Sequence, residues 1–318
     1  MVAALHPVPT REITMEVFER IVGIILPVFI IIALGYAYAR LRGDGVRSDM
    51  TAVNRVSMDV LCPLLVFTAL AAKDFDVANN LMLILAGALI ALGSGLLAWP
   101  VARLFGYDVR TFVPPMMYNN CGNMGLPLAV LAFGASGLSS AVALFMACNL
   151  VYFSVGIKII ETGRGGRRIA FLKFLASPMM LAMLVGLAFA VLHVVVPTPL
   201  FQAMKMLGDA CIPIMLFALG VRMLDVSLKS WHIGLVGAIV CPVAGLAVAW
   251  LLDGVLPLSA AQRAQMYLFA ALPPAVFCFM VAEQYKQEPD KVASIVLLGN
   301  LMALVFVPVG LWMGLRGA

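Results

Sequence analysis

The sequence predicts an all-α polytopic membrane protein with ten transmembrane helices in two inverted five-helix repeats, helices 4 and 9 being broken where they cross. Three observations carry this. Hydrophobic residues make up 63% of the 318 and charged residues 12%, with a mean hydropathy of +1.04, a balance that excludes an ordinary soluble domain. Apolar runs long enough to cross the ~30 Å hydrocarbon core of a bilayer recur along the chain. The second half also echoes the first. Pro27 and Gly35 recur as Pro178 and Gly186, Ala98-Trp99 as Ala249-Trp250 and Asn149 as Asn300, each at an offset of 151. Asp59, Pro63 and Phe67 recur as Asp209, Pro213 and Phe217, at an offset of 150.

The ten spans fall near residues 17–40, 51–72, 80–103, 111–135, 138–160, 174–195, 200–223, 231–252, 263–285 and 291–314. Residues 1–160 form the first repeat, 161–173 a linker and 174–318 the second repeat. Each half holds an odd number of spans, so the second must cross the membrane in the opposite sense to the first. Inverted repeats of this kind underlie alternating access in secondary transporters.

Charge distribution sets the orientation. Of the 21 Lys and Arg, six (Arg11, Arg20, Lys73, Lys205, Arg263 and Arg316) fall on the side of the even-numbered loops and the termini, and fifteen on the other. The positive-inside rule then places both termini on the extracytoplasmic side of the cell (inner) membrane. The polar tail from Met1 to Glu16 lacks the pattern of a cleavable signal peptide.

Six cysteines lie inside apolar spans without a Cys-x-x-Cys pair, and no metal-ligand spacing links the three histidines. No metal or cofactor is expected. The linker is too short for a nucleic-acid-binding module, so nucleic acid is not an expected partner. Intramembrane enzymology is not expected either, for no His-Glu-x-x-His helix or Gly-x-Ser-x-Gly elbow occurs.

Chemistry concentrates at two interruptions. The stretch Asn119-Asn120-Cys121-Gly122-Asn123-Met124-Gly125-Leu126-Pro127 sets amides, glycines and a proline between apolar segments. Glycine weakens a helix and proline removes a backbone donor, so the expected break runs from Gly122 to Pro127. Within a bilayer, broken helices are tolerated where they are packed in protein or line a watery cavity. The second interruption, Pro273-Pro274-Ala275, stands at the repeat offset from the first. Each resumed half-helix then starts near the midplane with free N–H groups and the positive end of its dipole, a pair of ends suited to an anion. Asn149 and Asn300 can add amides from neighbouring spans or serve in interhelical packing.

Two carboxylates lie within spans. Lys205 precedes Asp209 by one helical turn, and Arg55 precedes Asp59 in the same way. Two readings stand for these pairs: proton-responsive or gating sites flanking a substrate cavity, and ion pairs that set helix depth.

The run Asn120-x-Gly122-Asn123-x-Gly125-Leu126-Pro127 resembles the auxin efflux carrier family. Further likeness lies in Leu207-Gly208-Asp209-Ala210-Cys211-Ile212-Pro213 and in Leu272-Pro273-Pro274-Ala275, and it extends over essentially the whole chain. The resemblance implies a related fold to that of bile-acid/sodium symporters, with spans 1, 2, 6 and 7 as a scaffold, often the homodimer contact, and spans 3–5 and 8–10 as a transport domain. It implies small organic anions as substrates, dicarboxylates among them in bacterial relatives. Asn120, Gly122, Gly125 and Pro127 match its span 4 motif, and Pro273 and Pro274 its span 9 crossing.

The expected function is secondary transport of a small carboxylate by elevator-like alternating access. The expected site is Asn119, Asn120, Gly122, Asn123, Gly125, Pro127, Pro273, Pro274 and Ala275, supported by Asp59, Asp209, Lys205, Asn149 and Asn300. A sodium-coupled symporter of the bile-acid type is the alternative, weakened by the lack of Asp or Glu from Pro273 to Met280. Substrate anion and lipid bilayer are the expected partners.

Overall fold

The computed structural model describes residues 10–43, 45–72, 77–161, 176–223 and 230–316, with backbone alone at 10–18, 20, 45–49, 77, 135 and 136. The tail before residue 10 and, beyond Glu161, the linker expected at 161–173 lie outside the described residues.

The described chain is helical. Its helices are α1 (Thr10–Arg42), α2 (Gly45–Val56), α3 (Cys62–Leu70), α4 (Val77–Leu104), α5 (Val109–Met117), α6 (Leu126–Val151) and α7 (Ile157–Ile160) in the first half. The second half holds α8 (Pro178–Val191), α9 (Thr198–Arg222), α10 (Trp231–Asp253), α11 (Ala260–Ala270), α12 (Phe277–Tyr285) and α13 (Pro289–Leu315). Widened turns at Ser57–Leu61, Cys121–Gly125 and Tyr152–Gly156 join α2 to α3, lead into α6, and join α6 to α7.

Seven segments among the described residues are long and apolar enough to cross a membrane: Ile21–Arg42, Met50–Leu70, Ala78–Leu104, Gly137–Ile160, Thr198–Arg222, Trp231–Asp253 and Pro289–Leu315. The expected spans 4, 6 and 9 differ for physical reasons. Span 4 is α5 followed by the shorter apolar helix Cys121–Gly134, span 9 is α11 followed by α12, and span 6 is the 14-residue α8. At 1.5 Å per residue α8 rises only about 21 Å, less than the hydrocarbon thickness. Gly134, at φ 72° and ψ −165°, ends the first part of α6, a backbone state that only a residue without Cβ adopts readily.

Local signals fix several ends. Asp108 caps α5 by accepting from the Arg110 N–H, Ser177 caps α8 by accepting from Met180 N–H, and Ser259 with Gln262 forms a capping box on α11. Large aliphatic side chains such as Leu34, Leu96 and Leu304 are exposed, whereas Asn119, Asn120, Asn149 and Asn300 are buried. That inversion of the soluble pattern suits a lipid surround, where apolar surface needs no burial and polar groups must find partners inside.

Glycine permits the tightest crossings. A Cβ on Gly35 of α1 would stand 2.1 Å from the Phe217 carbonyl oxygen of α9, and one on Gly220 of α9 would stand 1.9 Å from Ile32 O. The contact of α8 with α3 uses equivalent residues at the sequence offset, where a Cβ on Gly186 would stand 3.3 Å from the Phe67 carbonyl oxygen. Helices α3 and α9 also cross one another, with Cys62 Sγ and Cys211 Sγ 2.8 Å apart.

Candidate functional site at the crossing of two broken helices

The break in span 4 lies earlier than the glycines and proline suggest. Helix α5 ends at Met117, Tyr118 to Asn120 are non-helical, and the chain is helical again from Cys121. Gly125 and Pro127 therefore sit within resumed helix, Pro127 where the widened turn of Cys121–Gly125 passes into the regular turns of α6. The physical cause of the shift is pairing. Asn119 bridges Pro274 in antiparallel fashion, the Asn120 N–H donating to Pro273 O at 2.7 Å and the Ala275 N–H to Tyr118 O at 2.8 Å. Two interrupted segments thus satisfy each other's backbone in the protein interior, as a bilayer requires.

Side-chain amides brace this crossing. Asn119 Nδ2 donates to Phe269 O (2.8 Å), and its Oδ1 accepts from Cys241 Sγ (3.5 Å). Asn120 Nδ2 donates to Asn300 Oδ1 at 3.0 Å, while Asn300 Nδ2 donates to Val296 O at 2.7 Å. Asn149 Nδ2 makes the corresponding bond to Phe145 O at 2.7 Å, and its Oδ1 accepts from the Tyr118 hydroxyl at 2.8 Å. Asn300 is thus tied into the crossing from α13, and Asn149 from α6. Their geometry is that of positioning residues as much as of ligand contacts.

Beside the crossing opens a cavity of about 840 Å³. It runs from Tyr118, Asn119, Asn120, Gly122, Asn123 and Ala275 out to helix ends at Met50, Ser177, Arg222 and Tyr285. Asn149 and Asp59 also line it. Gly125, Pro127, Pro273, Pro274 and Asn300 do not; they form the packed frame behind the wall. Gly125 is where α11 and the resumed helix approach, and a Cβ there would meet Leu272 Cδ1 at 2.8 Å and the Phe269 ring at 3.1 Å.

Lys205 and Asp209 lie apart from this cavity on the exposed surface of α9, joined at 2.7 Å. Arg55 and Asp59 both face the cavity instead, and among the described residues they do not pair with each other. The i,i+4 spacing of each pair is equal, so only the surroundings separate them.

At the wall, the Gly122 and Asn123 N–H groups have no backbone acceptor among the described residues, because the Met124 and Gly125 N–H groups take Asn120 O. The same holds for Val276 and Phe277 at the start of α12, where the first downstream donors, Cys278 and Phe279, bond back to Ala275 O and Val276 O. Two helix N-termini with open donors therefore face one space. Aromatic rings complete the wall: Tyr118 stacks on Tyr152 with centroids 4.3 Å apart, and Phe153 and Phe277 stand 5.6 Å apart. Sequence reasoning placed Tyr118 at the head of the interrupted stretch without giving it a binding role, and did not single out Phe145, Phe153, Met215 or Phe277, since a ring or thioether in an apolar helix carries no mark that separates cavity wall from core.

The N-terminal ends of α5 and α13 are tied together by a polar clamp. Thr111 Oγ1 donates to Glu288 Oε2 at 2.7 Å, and Gln287 Nε2 donates to Asp108 Oδ2 at 3.1 Å. The Arg110 side chain, hydrogen-bonded to Asp108, holds that carboxyl below the usual carboxylate range. Burial pushes the Glu288 carboxyl up, but hydrogen bonds from Lys291 and Thr111 outweigh it and leave the group below its ordinary value. On either side of Gln287, Lys286 and Glu288 take φ 52° and 42°.

A many-helix bundle with an interior cavity at paired helix interruptions defines a membrane transport protein by architecture, and sequence comparison agrees. The family profile described as "Membrane transport protein" (Mem_trans) matches residues 20–311. The chain therefore belongs to that family, the auxin efflux carrier family whose span 4 motif it carries. It is 27% identical over 306 residues to an "Uncharacterized transporter" of Methanothermobacter thermautotrophicus, covering 91% of this chain and 96% of that one. It is also 27% identical over 311 residues to a "Putative malonate transporter" of Rhizobium meliloti, covering 90% and 93%. A transporter of Methanocaldococcus jannaschii is 20% identical over 305 residues, covering 91% and 97%.

Proposed function

We propose that this protein is a secondary transporter that carries a small organic anion, a carboxylate, by alternating access. The observation that carries the reading is the meeting of two helix N-termini, at Cys121 and Phe277, on the wall of one cavity of about 840 Å³. Each N-terminus contributes up to ~2 kcal/mol toward an anion in a partly buried setting. Two together approach the ~4 kcal/mol of a millimolar Kd, and the open N–H groups of Gly122, Asn123, Val276 and Phe277 add hydrogen bonds to it. Phe145, Phe153 and Met215 supply apolar contact for the carbon skeleton.

In this reading the two halves are inverted repeats, 1–160 and 174–318, that provide the two access states. Spans 3–5 and 8–10 form a transport domain that moves against a scaffold of spans 1, 2, 6 and 7, through which a homodimer forms. The cavity then opens to the cytoplasm, the termini lie outside the cell membrane, and the substrate sits between Asn119–Asn123 and Ala275. The relative described as a malonate transporter makes malonate a natural first probe.

The test is uptake of labelled malonate, succinate and indole acetate into proteoliposomes, with choline replacing sodium in parallel. Uptake of one of these anions that is indifferent to sodium supports the reading. Sodium-dependent uptake points to the symporter alternative, and binding without uptake removes transport altogether.

A further inference from the structure

Arg55–Asp59 and Lys205–Asp209 are the same device written twice, a cation one helical turn before an aspartate, at the offset that relates Pro63 to Pro213 and Phe67 to Phe217. The structure holds the two copies in opposite conditions. Lys205 Nζ donates to Asp209 Oδ1 and Oδ2 at 3.0 and 2.7 Å. Arg55 and Asp59 instead both line the cavity, and neither has an ion-pair partner among the described residues. Arg222, the other cation on that wall among the described residues, is engaged by another group of the protein. Among the described residues, Arg55 is therefore the cation on the wall of the cavity that is open to a diffusing anion.

A guanidinium inside a membrane-spanning segment is costly unless wetted or paired, and closing the cavity would strip its water. Asp59, one turn away, is the partner at hand for that moment. An anion that occupies Arg55 while the cavity is open would thus be displaced as the mouth shuts. If the halves are inverted repeats, the opposite access state exchanges the roles, so that Lys205 leaves Asp209 and faces the opposite mouth.

We propose that Arg55 and Lys205 are the anion-docking residues of the inner and outer mouths, each released from its own aspartate only while the cavity is open on its side. The inference rests on the carboxylate-transport reading above, and it adds two residues that stand outside the helix crossing.

The experiment measures KM for labelled malonate from the two faces, using whole cells for the outer face and inverted membrane vesicles for the inner. Arg55→Gln is expected to raise KM about tenfold in inverted vesicles, the loss of one charge-assisted hydrogen bond, with KM in whole cells nearly unchanged. Lys205→Gln is expected to do the reverse. Arg55→Lys and Lys205→Arg, which keep the cation, should restore KM and show that folding is intact. Equal changes at both faces, no change at either, or the reverse assignment of faces overturns the proposal while leaving carboxylate transport standing. Wild-type chain that moves malonate in neither preparation, and succinate in neither, overturns both.

Discussion

Gly125→Ala tests whether the fit at the crossing sets transport. The new Cβ would lie 2.8 Å from Leu272 Cδ1 and 3.1 and 3.2 Å from two atoms of the Phe269 ring. Carbon pairs prefer about 3.5–4.0 Å, so these neighbours must retreat by roughly 0.5–1 Å. Both are buried, at 0% and 5% exposure, and have little room to do so. Overpacking of this kind costs about 1–3 kcal/mol. The strain acts on the residues that hold the site together. Phe269 O accepts from Asn119 Nδ2, and Leu272 precedes the Pro273 carbonyl that accepts from Asn120 N–H. The methyl group should therefore push the first half of span 9 off the resumed half of span 4 and misalign the N–H groups at Gly122 and Asn123.

The expected result is a melting temperature lowered by a few degrees, with malonate uptake reduced on the order of tenfold or more, since small misplacements of positioning groups are costly. Thermal unfolding by intrinsic fluorescence and initial-rate uptake in proteoliposomes measure the two effects on one preparation. Gly23→Ala is the control, because nothing lies within 4 Å of a Cβ at that position. Gly125→Ala with wild-type melting and wild-type uptake would refute the reasoning.

Other predictions follow from the same geometry. Asn123→Ala should cut uptake while leaving melting nearly unchanged, because Asn123 lines the cavity; Pro127→Ala should be milder, since Pro127 sits within the resumed helix, off the cavity wall and away from the break. Asn300→Ala leaves the buried Asn120 amide without its acceptor, at a cost of about 1–3 kcal/mol, and should lower melting and uptake together. Gly220→Ala places a methyl 1.9 Å from Ile32 O, backbone that cannot yield, so purified protein should melt earlier and detergent-solubilised yield should fall. Asp108 and Glu288 both titrate below their ordinary values in the folded chain, so their contribution is present at neutral pH and is lost as pH falls below about 4. Melting measured from pH 7 to pH 3 should show an acid limb that Asp108→Asn flattens.

The apolar helices were legible in the sequence because lipid imposes a simple rule, a long run without charge, and α1, α4, α10 and α13 obey it over most of their length, while α9 keeps its apolar run despite Lys205 and Asp209. Span 6 was legible only in outline, for α8 is shorter than the apolar run that suggested it. The amides at 119, 120 and 123 could be read as a site candidate because polar residues are expensive in such surroundings. The position of the break could not. Local propensity points to the glycines and Pro127, yet the widened turn at Cys121–Gly125 accommodates both glycines, and the helix opens instead at Tyr118–Asn120.

The sequence by itself determined that the chain lives in a bilayer, that its halves share spaced residues, and that amides and prolines interrupt two of its apolar runs. Those are properties of composition and order along the chain, and hydrophobic transfer acts on them residue by residue. Only the tertiary structure decided where the helices open, because that depends on which carbonyl meets which N–H across the Asn119–Pro274 bridge. It also decided that Arg55 faces a cavity while Lys205 closes on Asp209. Two copies of one local pattern differ in state because an ion pair's condition is set by water and neighbours from distant segments, and no stretch of sequence carries that information alone.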